Sequence, residues 1–137
     1  MRLEYLTPND WALLRSHSRS ISFGKGEIII PMNSRPKALF ILKKGSARVE
    51  VTPGKVIARL AAGDICGEMA FIENSIASAT VLAETESEAD AFDVGQVSEV
   101  FSSYPHLEAR FYKSVALLLS RRLRRTSSEL AKCMSKA

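Results

Sequence analysis

At 137 residues the chain suits one domain, and 46% apolar with 25% charged residues is enough for a core, which excludes wholesale disorder. No apolar run nears the ~20 residues that cross a bilayer, and residues 1–10 lack the basic start and apolar stretch of a secretory signal. The net charge of +4 is uneven: residues 110–137 carry eight Lys or Arg against one acid, Glu129, while residues 1–109 carry eleven against fourteen acids. A basic segment of that kind can meet nucleic acid or a membrane surface, and its plainer reading is a solvated helix face. Two cysteines, Cys66 and Cys133, make neither a disulfide framework nor a zinc site, so the expected setting is reduced and cytoplasmic.

Thr7-Pro8-Asn9-Asp10 predicts a helix start: Thr7 caps, Pro8 fits the first helical position and Asp10 stands where a capping-box acid belongs. This helix carries Trp11, Leu13 and Leu14 and fades in the polar run 16–20, which places an N-terminal helical segment at 1–20. Short β-rich runs follow at 21–23, 27–30, 38–43, 46–51, 56–61, 78–84 and 88–94. Turn signals separate them at Gly24-Lys25-Gly26, residues 31–36, Lys44-Gly45, Pro53-Gly54 and Gly63-Asp64. Strands at that spacing predict a mainly β fold, an antiparallel β-roll or jelly roll over 21–94. Flanking helices complete a single domain over 1–137.

Two helices close the chain, over 95–103 and from Pro105 to about Ala131 or beyond. The second bears two apolar stripes. Leu107, Phe111, Val115 and Leu118 recur at steps of three or four and fade into Arg122; they are expected to dock on the strands. Tyr112, Ala116, Leu119, Leu123, Thr126, Leu130 and Cys133 alternate steps of four and three, a coiled-coil seam predicted to make 105–133 the helix of a homodimer. One wide stripe packed on its own domain is the competing reading.

The chemistry gathers in Gly63-Asp64-Ile65-Cys66-Gly67-Glu68-Met69-Ala70-Phe71-Ile72 and, after Glu73 to Ala77, the strand Ser78-Ala79-Thr80-Val81. A glycine opens a short helix between strands, where free backbone amides can face a phosphate. A carboxylate there would repel that phosphate, so Glu68 more sensibly accepts from a sugar hydroxyl. Taken alone, Gly67-Glu68 is an ordinary turn with an N-terminal acid.

Taken together, these residues resemble the phosphate-binding cassette of cyclic-nucleotide-binding domains, found in catabolite-activator-type regulators, in regulatory subunits of cyclic-AMP-dependent kinase and in cyclic-nucleotide-gated channels. The resemblance extends to Phe40-Ile41-Leu42 and Gly45-Ser46-Ala47-Arg48-Val49 as the family's strand pair, to Gly63-Asp64 as its turn, and to the closing long helix. It implies a non-catalytic sensor whose ligand would be cyclic AMP or cyclic GMP, with no other cofactor. Glu68 would meet the ribose 2′-hydroxyl and Ser78 the phosphate or base, while Thr126 and Ser127 would reach the base from the long helix. Asn33 stands where the family often has glycine, and asparagine tolerates a left-handed backbone.

The departure is Ala77, which stands where ligand-binding members place the arginine that grips the cyclic phosphate. Loss of such a charge-assisted contact costs about 2–5 kcal/mol. Arg59, Lys55 or a base from the long helix are the candidate substitutes. The expected ligand site is therefore Gly67, Glu68, Met69, Ala70, Ala77 and Ser78, with Thr126 and Ser127 above it and affinity weak or lost. A degenerate module that only dimerises or binds another protein is the alternative. Sequence-specific nucleic-acid binding is not expected, because no recognition-helix domain follows the long helix before Ala137, and Arg121, Arg122, Arg124 and Arg125 would bind phosphates blind to sequence. No membrane contact is expected either. His17 and His106 read as surface residues, and Cys66 as a small core side chain rather than a reactive thiol.

Overall fold

The computed structural model describes residues 3–136. Its elements run α1 (Pro8–Arg15), β1 (Ser18–Phe23), β2 (Ile28–Ile30), β3 (Ala38–Lys44), β4 (Ala47–Thr52), β5 (Lys55–Leu60), β6 (Ile65–Cys66), α2 (Glu68–Glu73), β7 (Thr80–Ala83), β8 (Ser87–Asp93), α3 (Val94–Ser103) and α4 (Pro105–Ser135). The strands form two four-stranded sheets, ordered β1-β8-β3-β6 and β2-β7-β4-β5, and neighbouring strands pair antiparallel. This is the expected β-roll with an N-terminal helix, a short cassette helix and a long C-terminal helix.

Two predicted boundaries change. The N-terminal helix stops at Arg15, not in the polar run to residue 20, and β1 begins at Ser18. The cause is tertiary: residues 18–23 pair along the whole of β8, and Ser20 donates its hydroxyl to Glu88. The sheet also gains β6, a two-residue strand held by Phe40 and Ile41 of β3. At the start of α1 the expected capping box is present: Asp10 N–H donates to Thr7 Oγ1, and Thr7 N–H to Asp10 Oδ2.

Alternation along β3 and β8 gives the first sheet two buried faces. Leu39 and Phe92 join Leu107, Phe111, Val115 and Leu118 of α4, Phe101 of α3 and Leu3, Leu6 and Leu14 of the N-terminal segment in one core. Leu42, Ala89, Phe23 and Cys66 meet Ile30, Ala47, Leu60, Ala77 and Val81 in a second core between the sheets. The first α4 stripe thus docks as expected. Asp10 and Arg110 fasten α1 to α4 with two hydrogen bonds, Nε to Oδ2 at 2.6 Å and a terminal nitrogen to Oδ1 at 2.8 Å. The Arg110 guanidinium holds the Asp10 carboxyl at about 2, below its ordinary 3.8.

Two turns show why their residues stand there. Gly45 has φ +86°, and a Cβ on it would collide with the Glu86 carbonyl and Ser87. Asn33 adopts φ +67°, the left-handed conformation anticipated for it.

Candidate functional site

The short strand β6 delivers Ile65 and Cys66 into the sheet, and the chain then turns into α2 through Gly67 at φ +93°. A Cβ at Gly67 would sit in ordinary contact with the Ala38 carbonyl and Ile30 at 3.4 Å, so it is the left-handed backbone that calls for glycine here. That turn tucks Glu68 and Ala70 inward and leaves Met69 and Ile72 outside. Beyond α2, Ala77 is clamped by two backbone bonds: its N–H donates to Ser34 O at 2.7 Å, and its carbonyl accepts from Asn33 N–H at 2.9 Å.

These segments line a half-open cavity of about 110 Å³. Gly67, Glu68, Met69, Ala70, Ala77 and Ser78, the expected site, all line it. The remaining wall is mostly apolar, drawn from β2, β4, β5, β6 and β7. Ala77 sits buried in the inter-sheet core with its methyl toward this space.

The cavity also contains one of the long-helix arginines, which the sequence reading named only as the end of a stripe and as part of a basic cluster. Arg122 of α4 lines it and donates to Glu68 Oε1 at 2.5 Å, with a weaker contact at 3.5 Å to the Ile65 carbonyl. The Glu68 side chain is only 4% exposed, and Arg122 is 31% exposed, so the carboxylate is covered by its partner. A signal was present in the sequence. The docked stripe 107, 111, 115, 118 continues at the same spacing to 122, which puts the arginine on the buried face.

Of the other candidate cations, Arg59 is engaged by Glu84 at 3.2 Å, and neither it nor Lys55 lines the cavity. Thr126 and Ser127 do not line it either; both are exposed. Each residue of α4 climbs about 1.5 Å, so Thr126 stands roughly 6 Å past Arg122, beyond the edge of the β-roll. Burial pushes the Cys66 thiol up to about 12, so it stays protonated and serves as core. His17 and His106 are exposed. A larger open groove beside α1 has its charges already engaged: Lys43 pairs with Asp90 at 3.6 Å, and Arg15 lies over Trp11.

The seam residues fall into two groups. Tyr112 stacks on Phe71 at 6.4 Å and Leu119 packs on the first core, so both serve their own domain. Ala116, Leu123, Thr126, Leu130 and Cys133 are exposed. Among the described residues, no helix is long and apolar enough to cross a membrane.

A β-roll of this topology, with a glycine-led cassette and a carboxylate facing its cavity, defines a class of ligand-responsive regulatory domain. The sequence profile described as "Cyclic nucleotide-binding domain" matches residues 20–104, and the chain belongs to that family. It is 29% identical over 123 residues to Cyclic GMP-binding protein C of Dictyostelium discoideum, covering 87% of this chain and 5% of that protein. The chain therefore corresponds to a small part of that relative. Among solved structures, a cyclic nucleotide-binding domain from Methylobacillus flagellatus superposes with a TM-score of 0.83 at 18% identity, covering 92% of this chain and 73% of that one. The catabolite activator protein of Thermus thermophilus gives 0.75 at 24% identity, with 94% and 61% covered. At these identities the structural likeness establishes the fold.

Proposed function

We propose that the chain is a non-catalytic regulatory module whose ligand site is the Glu68 cavity and whose affinity for cyclic AMP and cyclic GMP is weak or lost. The observation that carries this reading is the state of the pocket. Ala77 offers a methyl where a phosphate would need a guanidinium, and one oxygen of Glu68 is already taken by Arg122. A nucleotide is too large to enter beside that ion pair without moving it: the cavity of about 110 Å³ lies below the roughly 300 Å³ at which sites for drug-sized molecules begin. The printed name of the Dictyostelium relative keeps cyclic GMP on the list of ligands to test.

Ligand binding would act through α4. Displacing Arg122 from Glu68 releases the charged tie between the cassette and this helix and leaves the Phe71 contacts with Phe111 and Tyr112, so a bound ligand favours one helix arrangement over another by the difference in its affinity for them. We assign the exposed continuation of the seam, Leu123, Leu130 and Cys133, to a homodimer. Leu123→Asp with Leu130→Asp is expected to convert it to a monomer in sedimentation equilibrium, because both side chains are exposed in the single chain.

The deciding experiment is calorimetric titration of the native chain and of Ala77→Arg with both nucleotides. Binding by the variant and silence in the native chain is expected. Micromolar binding by the native chain would mean that another group replaces the arginine. Silence in both would overturn the ligand reading and leave a dimerisation or protein-binding module, which the exposed Leu123, Leu130 and Met134 favour as the second reading.

A further inference from the structure

With Ala77 in place, the cavity has little to offer an anion. Ten of its fourteen wall residues are apolar, among them Ile30, Val49, Leu60, Met69 and Val81. Its two charges, on Glu68 and Arg122, lie 2.5 Å apart and cancel. An anion drawn to Arg122 is repelled by Glu68, and pulling the guanidinium away uncovers a buried carboxylate, a change strongly disfavoured in protein interiors. Size points the same way. About 110 Å³ is somewhat less than the ~150 Å³ apolar cavity known to hold benzene.

What remains for recognition is a short list. Glu68 lines the cavity and accepts from Arg122 on Oε1, which leaves its second oxygen able to accept a further hydrogen bond, and Ser78 adds an exposed hydroxyl at the wall. Resting on the reading of this cavity as the module's ligand site, we infer that it takes a small uncharged molecule, apolar over most of its surface, with one hydroxyl or N–H donor for Glu68. Such a ligand fills the space beside the apolar wall without breaking the Glu68–Arg122 pair. The donated hydrogen bond, made to a charged acceptor, supplies its orientation.

The test is methyl NMR of the full chain, titrated separately with phenol, benzene, inorganic phosphate and cyclic AMP. Phenol is expected to shift the methyl signals of Val49, Met69 and Val81 saturably. Benzene should bind at least about tenfold more weakly because it lacks the donor, and phosphate should leave these signals in place. Ala77→Leu, which adds three carbons to the wall, should abolish the phenol response; the native titration decides the matter if that variant does not fold. Equal binding of phenol and benzene would overturn the role given to Glu68. Movement of the same methyls by cyclic AMP or phosphate, with phenol silent, would overturn the inference while leaving the nucleotide-sensor reading intact. Silence towards every probe would overturn both.

Discussion

The two halves of α4 share one helix and live in different environments. From Pro105 to Arg122 the helix is held from three sides: Leu107, Phe111, Val115 and Leu118 fill the first core, Arg110 meets Asp10, and Arg121 and Arg122 reach Glu4 and Glu68. From Leu123 to Ser135 every residue is exposed, with Leu123 at 68%, Leu130 at 58% and Met134 at 68%. An isolated helical stretch of this length is marginal in water. The proximal half is therefore built by packing, whereas the distal half continues the helix with no packing from the rest of the described residues. Arg122 marks the boundary and ties it to the cassette.

That contrast can be broken most forcefully in the proximal half. Phe111 is buried amid Phe71, Phe101 and Tyr112, so Phe111→Ala should cost about 3–5 kcal/mol in urea unfolding. Arg122→Ala comes next. It strands a buried carboxylate and should cost about 3 kcal/mol, the low end of the usual range because Arg122 is 31% exposed. Adding Glu68→Gln should recover much of that loss, which a double-mutant cycle measures.

The Asp10 clasp sharpens the comparison through pH. Its carboxyl is held near 2 when folded, against 3.8 ordinarily, so its stabilisation is complete above the unfolded value and disappears as pH falls through the folded one. Thermal midpoints of the native chain and Asp10→Asn should differ above pH 4 and converge near pH 2. In the distal half, Leu130→Ala should change the stability of a monomer by less than about 0.5 kcal/mol. A larger effect that grows with protein concentration would identify the surface that covers this half of the helix.

Legibility followed how local each signal was. The capping box at Thr7, the turn glycines and the docked stripe of α4 depend on near neighbours in sequence, and the structure carries them as read. The strand at residues 18–23 was hidden because Ser18-Arg19-Ser20 has no apolar alternation; its place comes from pairing with β8, some seventy residues away. β6 is two residues long and has no pattern of its own. In the cavity, the cassette residues were found by their motif, whereas Arg122 was passed over as the end of an apolar stripe. Thr126 and Ser127 are exposed on α4 and do not line the cavity of the single chain.

The N-terminal segment sets an order on folding. The core between the sheets draws its buried residues from positions 23–89, so it can close as soon as that stretch is available. The helical core cannot: Leu3 and Leu6 wait for Leu107 to Leu118, and Tyr5 N–H finds its acceptor, Ser114 Oγ, 109 residues away. On a ribosome making the chain from its N-terminus, these first leucines emerge early and are sheltered last. The segment that completes the fold is thus also the one that spends longest exposed to mispairing during synthesis.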